Sequence, residues 1–189
     1  MVLILIVIIS TKTKANFIIN SSLSQEFKVN NQKRMNGKIK VKNVSDKPIK
    51  IRLYKRDYTF DASGKNYYQS PGQHKRSNAD WINLKRNKLV LAPHKQKTLK
   101  YMIEIPESII KKGTYWSMLM VEEFQVNTKR TGKNQMEVKQ NIRYGIQVIT
   151  DFKANKDIKL SYQDPEINKI NKRSYIFKTD LYNKGSSYL

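Results

Sequence analysis

Apolar and polar residues alternate over most of this sequence, in short runs that turn residues separate. The alternation is clearest in Gly37 to Val44, in Leu99 to Ile105 and in Met136 to Val148. A period of two places successive side chains on opposite faces of a strand. No segment of useful length shows the period of a helix. The pattern therefore predicts an all-β fold, with seven or more short strands between residue 17 and about residue 152, as in a β-sandwich.

Turn-forming residues divide these runs. Asn43 to Pro48 is predicted to be a turn, Asp61 to Gly64 the tip of a hairpin, and Ser70 to Asp80 a loop. After Leu53 the apolar period shifts by one residue around Lys55, which predicts a bulge or bend in that strand.

One run, Thr114 to Glu122, is apolar on both faces and predicts a central strand. The aromatic residues of a sandwich pack in the core more often than they line a binding surface. We therefore expect Trp81 and Tyr115 to point inward, whereas the pattern leaves the direction of Trp116 open.

The C-terminal residues repeat the same pattern. Ile158, Leu160 and Tyr162 alternate, Pro165 is predicted to lie in a turn, and Tyr175 to Gly185 indicates a strand followed by a turn. We therefore predict one β-sandwich over residues 16–153 and the start of a second β domain over residues 154–189. Two strands cannot form a core of their own, so we expect the chain to stop inside that domain, or its last strands to pair with the first.

The first residues indicate export. Val2 to Ile9 is an unbroken apolar run that is too short to cross a bilayer as a helix. The small residues Thr13 and Ala15 follow it at the positions that a signal peptidase reads. Residues 1–15 are thus predicted to be a signal peptide, with Asn16 starting the mature chain, although no Lys or Arg precedes the run. The alternative is a buried β-strand. No later segment has the length and hydrophobicity of a membrane anchor.

The chain is strongly basic, with 37 Lys and Arg against 15 Asp and Glu and a net charge of +22. Such a charge can indicate a nucleic acid or another polyanion as the partner. However, Lys38, Lys40 and Lys42 alternate with apolar residues, as solvent-facing side chains of a strand do. The basic residues are also spread along the whole chain, and no nucleic-acid-binding motif is present. The sequence therefore favours solvated lysines over nucleic-acid binding.

The residue types argue against catalysis and metal binding. The absence of cysteine excludes disulfides, thiolate zinc sites and cysteine nucleophiles. His74 and His94 lie in polar loop sequence and are predicted to be solvated, and no carboxylate cluster suits zinc or calcium. Asp57, Asp61 and Asp80 are predicted to be turn or strand-end residues. No set of residues meets the requirements of an active site, so we predict no enzyme activity and no cofactor.

The order of several motifs resembles a known family. It resembles the N-terminal immunoglobulin-like domain of bacterial periplasmic pilus-assembly chaperones and their exported relatives, over roughly residues 23 to 150. The segments that carry the resemblance are Lys40 to Pro48, Tyr58 to Gly64, Ser77 to Leu84, Leu91 to Pro93, Ile105-Pro106 and Gly113 to Glu122. The resemblance implies a seven-stranded immunoglobulin-like β-sandwich, a second similar domain, and a location in the periplasm or at the cell surface.

The resemblance also implies an activity, because these chaperones lend an alternating apolar strand to an incomplete pilin subunit. The candidate strand here is Met136 to Val148, which follows the basic hairpin tip Asn127 to Gln135. The predicted partner contacts are Met136, Val138, Ile142, Tyr144 and Ile146. The family anchors the partner's terminal carboxylate with two basic residues. Arg143 matches one of them, and Lys28 is the nearest candidate for the other.

Three readings therefore stay open at the level of the sequence. The first is an exported, chaperone-like protein that binds a polypeptide partner such as a pilus or fimbrial subunit. The second is a structural or adhesive β-sandwich module of the cell surface. The third is the binding of a nucleic acid or another polyanion. For Met136 to Val148 itself, the alternative to a lent strand is an ordinary core strand with no role in binding.

Overall fold

The computed structural model describes residues 15–29, 32–108, 111–124, 142–153 and 157–187. Within these ranges the chain forms β-strands and one 3₁₀ turn at Ala79–Trp81, which confirms the predicted all-β class. The strands are β1 Phe17–Ile19, β2 Ser24–Val29, β3 Arg34–Asn43, β4 Ile49–Phe60, β5 Asn66–Gln69, β6 Ile82–Leu84, β7 Lys88–Leu91, β8 Gln96–Glu104, β9 Gly113–Glu123, β10 Arg143–Phe152, β11 Leu160–Asn171 and β12 Ser174–Asn183. The predicted signal segment, apart from Ala15, lies outside the described residues.

Two sheets form the sandwich. The first sheet has the strand order β1-β3-β8-β6, and the second has the order β2-β10-β9-β4. Both β5 and β7 pair with the remaining edge of β4, each along a different part of it. Strand β2 runs parallel to β10, and the other named pairs are antiparallel. This arrangement confirms the predicted immunoglobulin-like β-sandwich.

The core lies between the two sheets, where the inward side chains of the alternating strands meet. Its fully buried members include Phe17, Ile39, Ile51, Leu119 and Ile146. The strands can form this core because the side chains that face the opposite sheet are mostly apolar.

The aromatic residues take the predicted directions. Trp81 and Tyr115 are buried, with ring centroids 4.6 Å apart. Trp116, which the sequence left open, is half-buried on the opposite face of β9, and its indole N–H donates to the carbonyl of Tyr58 at 2.7 Å.

Strand β4 contains no bulge, in contrast to the prediction. Its pairing with β9 continues without a shift to Arg56, and its pairing with β5 begins at the next residue. The inward positions after Leu53 are instead occupied by the polar residues Lys55 and Asp57. The apolar pattern therefore changes face while the backbone keeps its register.

Asp57 is a buried residue inside β4, and the prediction that it ends a strand was wrong. Its carboxylate accepts hydrogen bonds from the main-chain N–H groups of Gly72 and His74 and from the hydroxyl of Ser77. A buried carboxylate is tolerated when such donors surround it. Asp57 therefore ties the loop after β5 to the sandwich.

The two histidines lie in different environments. His94 is exposed, as predicted, and pairs with Asp46 at 2.9 Å. His74 is only partly exposed, in contrast to the prediction, because its ring packs against Trp116 with centroids 4.8 Å apart. Burial lowers the pKa of His74 below its ordinary value.

The C-terminal strands β11 and β12 form a separate two-stranded hairpin. Pro165 lies within β11, next to a register irregularity between Gln163 and Glu166, which corrects the predicted turn. Most apolar side chains of the hairpin are exposed, including Ile167 and Phe177. The hairpin reaches the sandwich through its C-terminal end, where the N–H of Thr114 donates to the carbonyl of Ser186 at 2.8 Å.

Candidate functional site

Strand β10 has an open edge along its first residues. Strand β9 pairs with it from Arg143 to Phe152, but β2 covers its other edge only from Gln147 onward. In the part of the chain that the structure describes, no strand pairs with that edge between Arg143 and Ile146. An unpaired edge presents main-chain donors and acceptors to another strand.

The hydrogen-bond pattern identifies which residues face this edge. The N–H of Gln147 donates to the carbonyl of Leu23 on the β2 side at 2.7 Å. Successive residues of a strand direct their main-chain groups to opposite sides. Gly145 and Arg143 therefore direct their N–H and C=O groups to the open edge, whereas Tyr144 and Ile146 direct theirs to β9.

The structure divides the predicted partner contacts into three groups. Met136 and Val138 lie outside the described residues. Ile142 and Tyr144 are half-buried, and the ring of Tyr144 packs edge-on against Phe17 with centroids 5.1 Å apart. Ile146 is fully buried in the protein's own core. Its side chain is therefore not available to a partner in this structure, which corrects the expectation for that residue.

Arg143 lies on the outer face of the second sheet, in a row of charged residues that crosses four strands. Lys88 of β7 is opposite Arg52 of β4, Arg52 is opposite Glu122 of β9, and Glu122 is opposite Arg143. The row thus contains three cationic side chains and one carboxylate. Residues opposite each other on one face of a sheet are close enough to interact directly.

Glu122 holds the two arginines of this row. Its side chain is 4% exposed, and it pairs with Arg52 through one oxygen and with Arg143, at 2.6 Å, through the other. The Tyr54 hydroxyl also donates to it at 2.9 Å. Burial by itself raises the pKa of Glu122, but the hydrogen bonds from Tyr54, Arg143 and Arg52 outweigh burial and hold the pKa below its ordinary value.

Three guanidinium groups lie near the ring of Tyr54. Those of Arg52, Arg56 and Arg143 lie 5.4, 5.4 and 5.8 Å from the centre of its ring. These distances are in the range of cation–π contacts. We call Arg52, Arg56 and Arg143 the arginine cluster.

Lys28 is not part of this cluster. It is exposed on β2, opposite Asp151 near the far end of β10. Eight residues of extended chain separate Asp151 from Arg143, or about 26 Å at the usual rise of a strand. The structure therefore does not bring together the two basic residues that the sequence suggested as a pair.

The sequence prediction missed Arg52, Tyr54, Arg56 and the role of Glu122. Two signals were present in the sequence. Arg52, Tyr54 and Arg56 are spaced by two on β4 and therefore share a face, and the charged Glu122 follows the apolar Val121 in a strand. However, only the strand order shows that β9 lies between β4 and β10.

The described residues contain no group of three or more His, Cys, Asp or Glu side chains that could hold a metal ion. No helix in the described ranges is long and apolar enough to cross a membrane.

Known structures share this architecture. A chain of the chaperone–tip adhesin complex of CFA/I fimbriae biogenesis superposes with a TM-score of 0.56 at 17% identity, over 92% of this chain and 68% of that one. The class 5 fimbriae chaperone CfaA gives 0.52 at 18% identity, over 90% and 68% of the two chains. The YadV chaperone gives 0.52 at 12% identity, over 92% and 69%. No protein-family model and no curated protein matches the sequence. At these identities the likeness shows the fold, which is that of periplasmic fimbrial chaperones.

Proposed function

We propose that this chain, which has the fold of the fimbrial chaperones, is an exported, non-enzymatic protein that binds a polypeptide partner by β-strand addition. The similarity in fold to the fimbrial chaperones supports pilus or fimbrial subunits as the class of partner. The observation that carries the proposal is the open edge of β10 between Arg143 and Ile146.

Strand addition needs main-chain groups that are free to pair, and the edge supplies them at Arg143 and Gly145. In this mode of recognition, main-chain hydrogen bonds provide affinity and alternate side chains provide fit. The half-buried side chains of Ile142 and Tyr144 are the apolar contacts in our proposal, together with Met136 and Val138 upstream. Ile146 would contribute no side-chain contact, because it belongs to the core.

In our proposal, Arg143 binds an acidic group of the partner. The Arg143 side chain is 52% exposed. Among the described residues, its only hydrogen bond is the one that its Nε–H group donates to Glu122. A guanidinium has five N–H donors, so most of its hydrogen-bonding capacity can still serve a ligand. The resemblance predicts the partner's terminal carboxylate as one such group.

Replacing Gly145 with proline tests the open edge directly. Gly145→Pro removes the N–H that faces this edge, and proline is tolerated in edge strands where the N–H faces solvent. The experiment begins by identifying the polypeptide that co-purifies with the wild-type protein from the exported fraction. We expect Gly145→Pro to weaken its binding by about tenfold or more, which corresponds to about 1.4 kcal/mol.

Gly145→Ala is the matched control, because it adds a Cβ but keeps the N–H. A Cβ at this position would lie 3.6 Å from the Met118 side chain, an ordinary contact. We expect this variant to bind like the wild type. Equal binding by Gly145→Pro would contradict the proposal. If Gly145→Pro does not fold, hydrogen exchange of the wild type decides, since the amides of Arg143 and Gly145 must become protected in the complex.

A further inference from the structure

The arginine cluster carries more positive charge than the described structure neutralises. Glu122 pairs with Arg52 and Arg143, but Arg56 makes no ion pair with any described residue. Lys88 continues the charged row, and its ammonium lies 5.7 Å from the centre of the Phe124 ring. This face of the sheet thus presents an excess of cationic groups.

The buried carboxylate holds two of the three guanidiniums in position. Glu122 accepts hydrogen bonds from the Nε–H groups of Arg52 and Arg143, and each guanidinium has further N–H donors. The guanidiniums of Arg52, Arg56 and Arg143 all lie within 5.8 Å of the centre of the Tyr54 ring. Side chains that are held in position before binding lose less conformational entropy when a ligand arrives.

The surface around the cluster contains two shallow depressions that meet at Arg56 and Arg143. The first is lined mainly by cationic side chains, including Arg52 and Lys88. The second also contains Tyr68, Gln69 and Met120, and so offers apolar as well as polar contacts.

We propose that this face binds an acidic, extended segment of the polypeptide partner, with side-chain carboxylates on the arginine cluster and a neighbouring apolar side chain against Tyr68 and Met120. The fork geometry of guanidinium suits carboxylates, which can accept two N–H groups at once. Alternate residues of an extended peptide are about 7 Å apart, so carboxylates at every second position can reach both Arg143 and Arg56. The identity of the partner as a polypeptide rests on the proposed function, whereas the preference for acidic side chains rests on the cluster.

The test uses a short synthetic peptide with an acetylated N-terminus and an amidated C-terminus, and with glutamate at three alternate positions. The amide removes the terminal carboxylate, so that binding reports side chains alone. We expect the same peptide with glutamine in place of glutamate to bind at least tenfold more weakly. The affinity of the acidic peptide should also fall as salt rises, because exposed charges are screened over about 10 Å at 0.1 M ionic strength.

Substitutions place this binding on the cluster. We expect Arg56→Gln and Arg143→Gln each to weaken the acidic peptide about fivefold, a modest effect because these side chains are partly solvated. Arg173→Gln is the matched control, since Arg173 is exposed on the β11–β12 hairpin and the substitution removes the same charge. Arg173→Gln should leave the affinity unchanged.

Three outcomes would overturn the inference. The first is that the glutamine peptide binds as tightly as the glutamate peptide. The second is that Arg173→Gln weakens the acidic peptide as much as Arg56→Gln and Arg143→Gln do. The third is that a double-stranded oligonucleotide binds more tightly than the acidic peptide and that its binding depends on the same arginines. The last would identify the cluster as a nucleic-acid site.

Gly145→Pro separates this inference from the proposed function. This variant should still bind the acidic peptide, because the arginine side chains are intact. If Gly145→Pro binds both the acidic peptide and the partner, strand addition is contradicted and the acidic site is supported. If neither the wild type nor any variant binds the acidic peptide, while Gly145→Pro no longer binds the partner, the acidic site is contradicted and strand addition is supported.

Discussion

At the scale of single residues, Glu122 shows how one buried carboxylate can organise a surface. It is almost inaccessible, yet it lies on the outer face of a sheet, because the long side chains of Arg52, Arg143 and Tyr54 cover it. Removing one partner from a buried ion pair costs more than the pair itself contributes, since the remaining charges lose their compensation. Glu122 should therefore matter for both stability and the position of the arginines.

We predict that Glu122→Gln lowers the free energy of unfolding at neutral pH by about 1–3 kcal/mol. The folded-state pKa of Glu122 lies below the ordinary value of 4.5. Its contribution is therefore fully present above that value and is lost as the pH falls through the folded-state pKa. Urea unfolding between pH 7 and pH 3 should show that the difference between wild type and variant shrinks below about pH 4.5.

Glu26→Gln provides the comparison, because Glu26 is exposed on β2. It should change the unfolding free energy by less than about 0.5 kcal/mol across the same range. A Glu122→Gln protein as stable as the wild type at pH 7 would contradict this account of the buried carboxylate.

At the scale of elements, the pairing of β3 with β8 depends on a missing side chain. Gly37 is opposite Tyr101, and a Cβ at Gly37 would lie only 2.0 Å from the Tyr101 ring. The ring is buried, and its hydroxyl donates to the Gln25 side chain at 2.8 Å. Glycine is therefore needed here for the close approach of an aromatic ring, and not for an unusual backbone angle.

We predict that Gly37→Ala costs about 1–3 kcal/mol of stability, the usual range for overpacking a core. Thermal or urea unfolding measures the effect. Gly145→Ala is the matched control, because a Cβ there makes only ordinary contacts, so it should be close to neutral. A Gly37→Ala protein of wild-type stability would mean that the Tyr101 ring moves aside at no cost.

At the scale of the whole molecule, the sandwich and the β11–β12 hairpin differ in how they bury apolar surface. In the described chain, the core cluster and the residues packed on it end at Phe152. The hairpin leaves most of its large apolar side chains exposed, including Tyr162 and Ile167. We therefore infer that residues 16–153 fold as a unit without the hairpin.

A protein that ends after Lys153 tests this inference. We expect it to unfold cooperatively. Its melting temperature should be about 3 °C lower, because contacts such as the hydrogen bond from Thr114 to Ser186 are lost. Circular dichroism and calorimetry would measure this. Loss of cooperative unfolding would show instead that the hairpin is part of the same folding unit.

The sequence by itself determined the fold class and the direction of most side chains. Alternation with period two is a local property, so residues such as Ile39, Tyr115 and Lys38 could be assigned to a face without knowledge of their neighbours. The pattern failed at Asp57 and Lys55, because apolar periodicity cannot identify inward positions that polar side chains occupy with hydrogen bonds, as Asp57 does, or with an ion pair, as Lys55 does with Asp80. It also placed Ile146 at a partner surface, since an alternating strand has the same pattern whether its apolar face meets its own core or another chain.

The tertiary structure alone decided the site. Arg52 and Glu122 are 70 positions apart, and they form a row with Arg143 only because β9 lies between β4 and β10. The open edge likewise depends on where β2 begins along β10. Strand order and register arise from contacts between distant parts of the chain, and side-chain alternation within a strand carries no information about them.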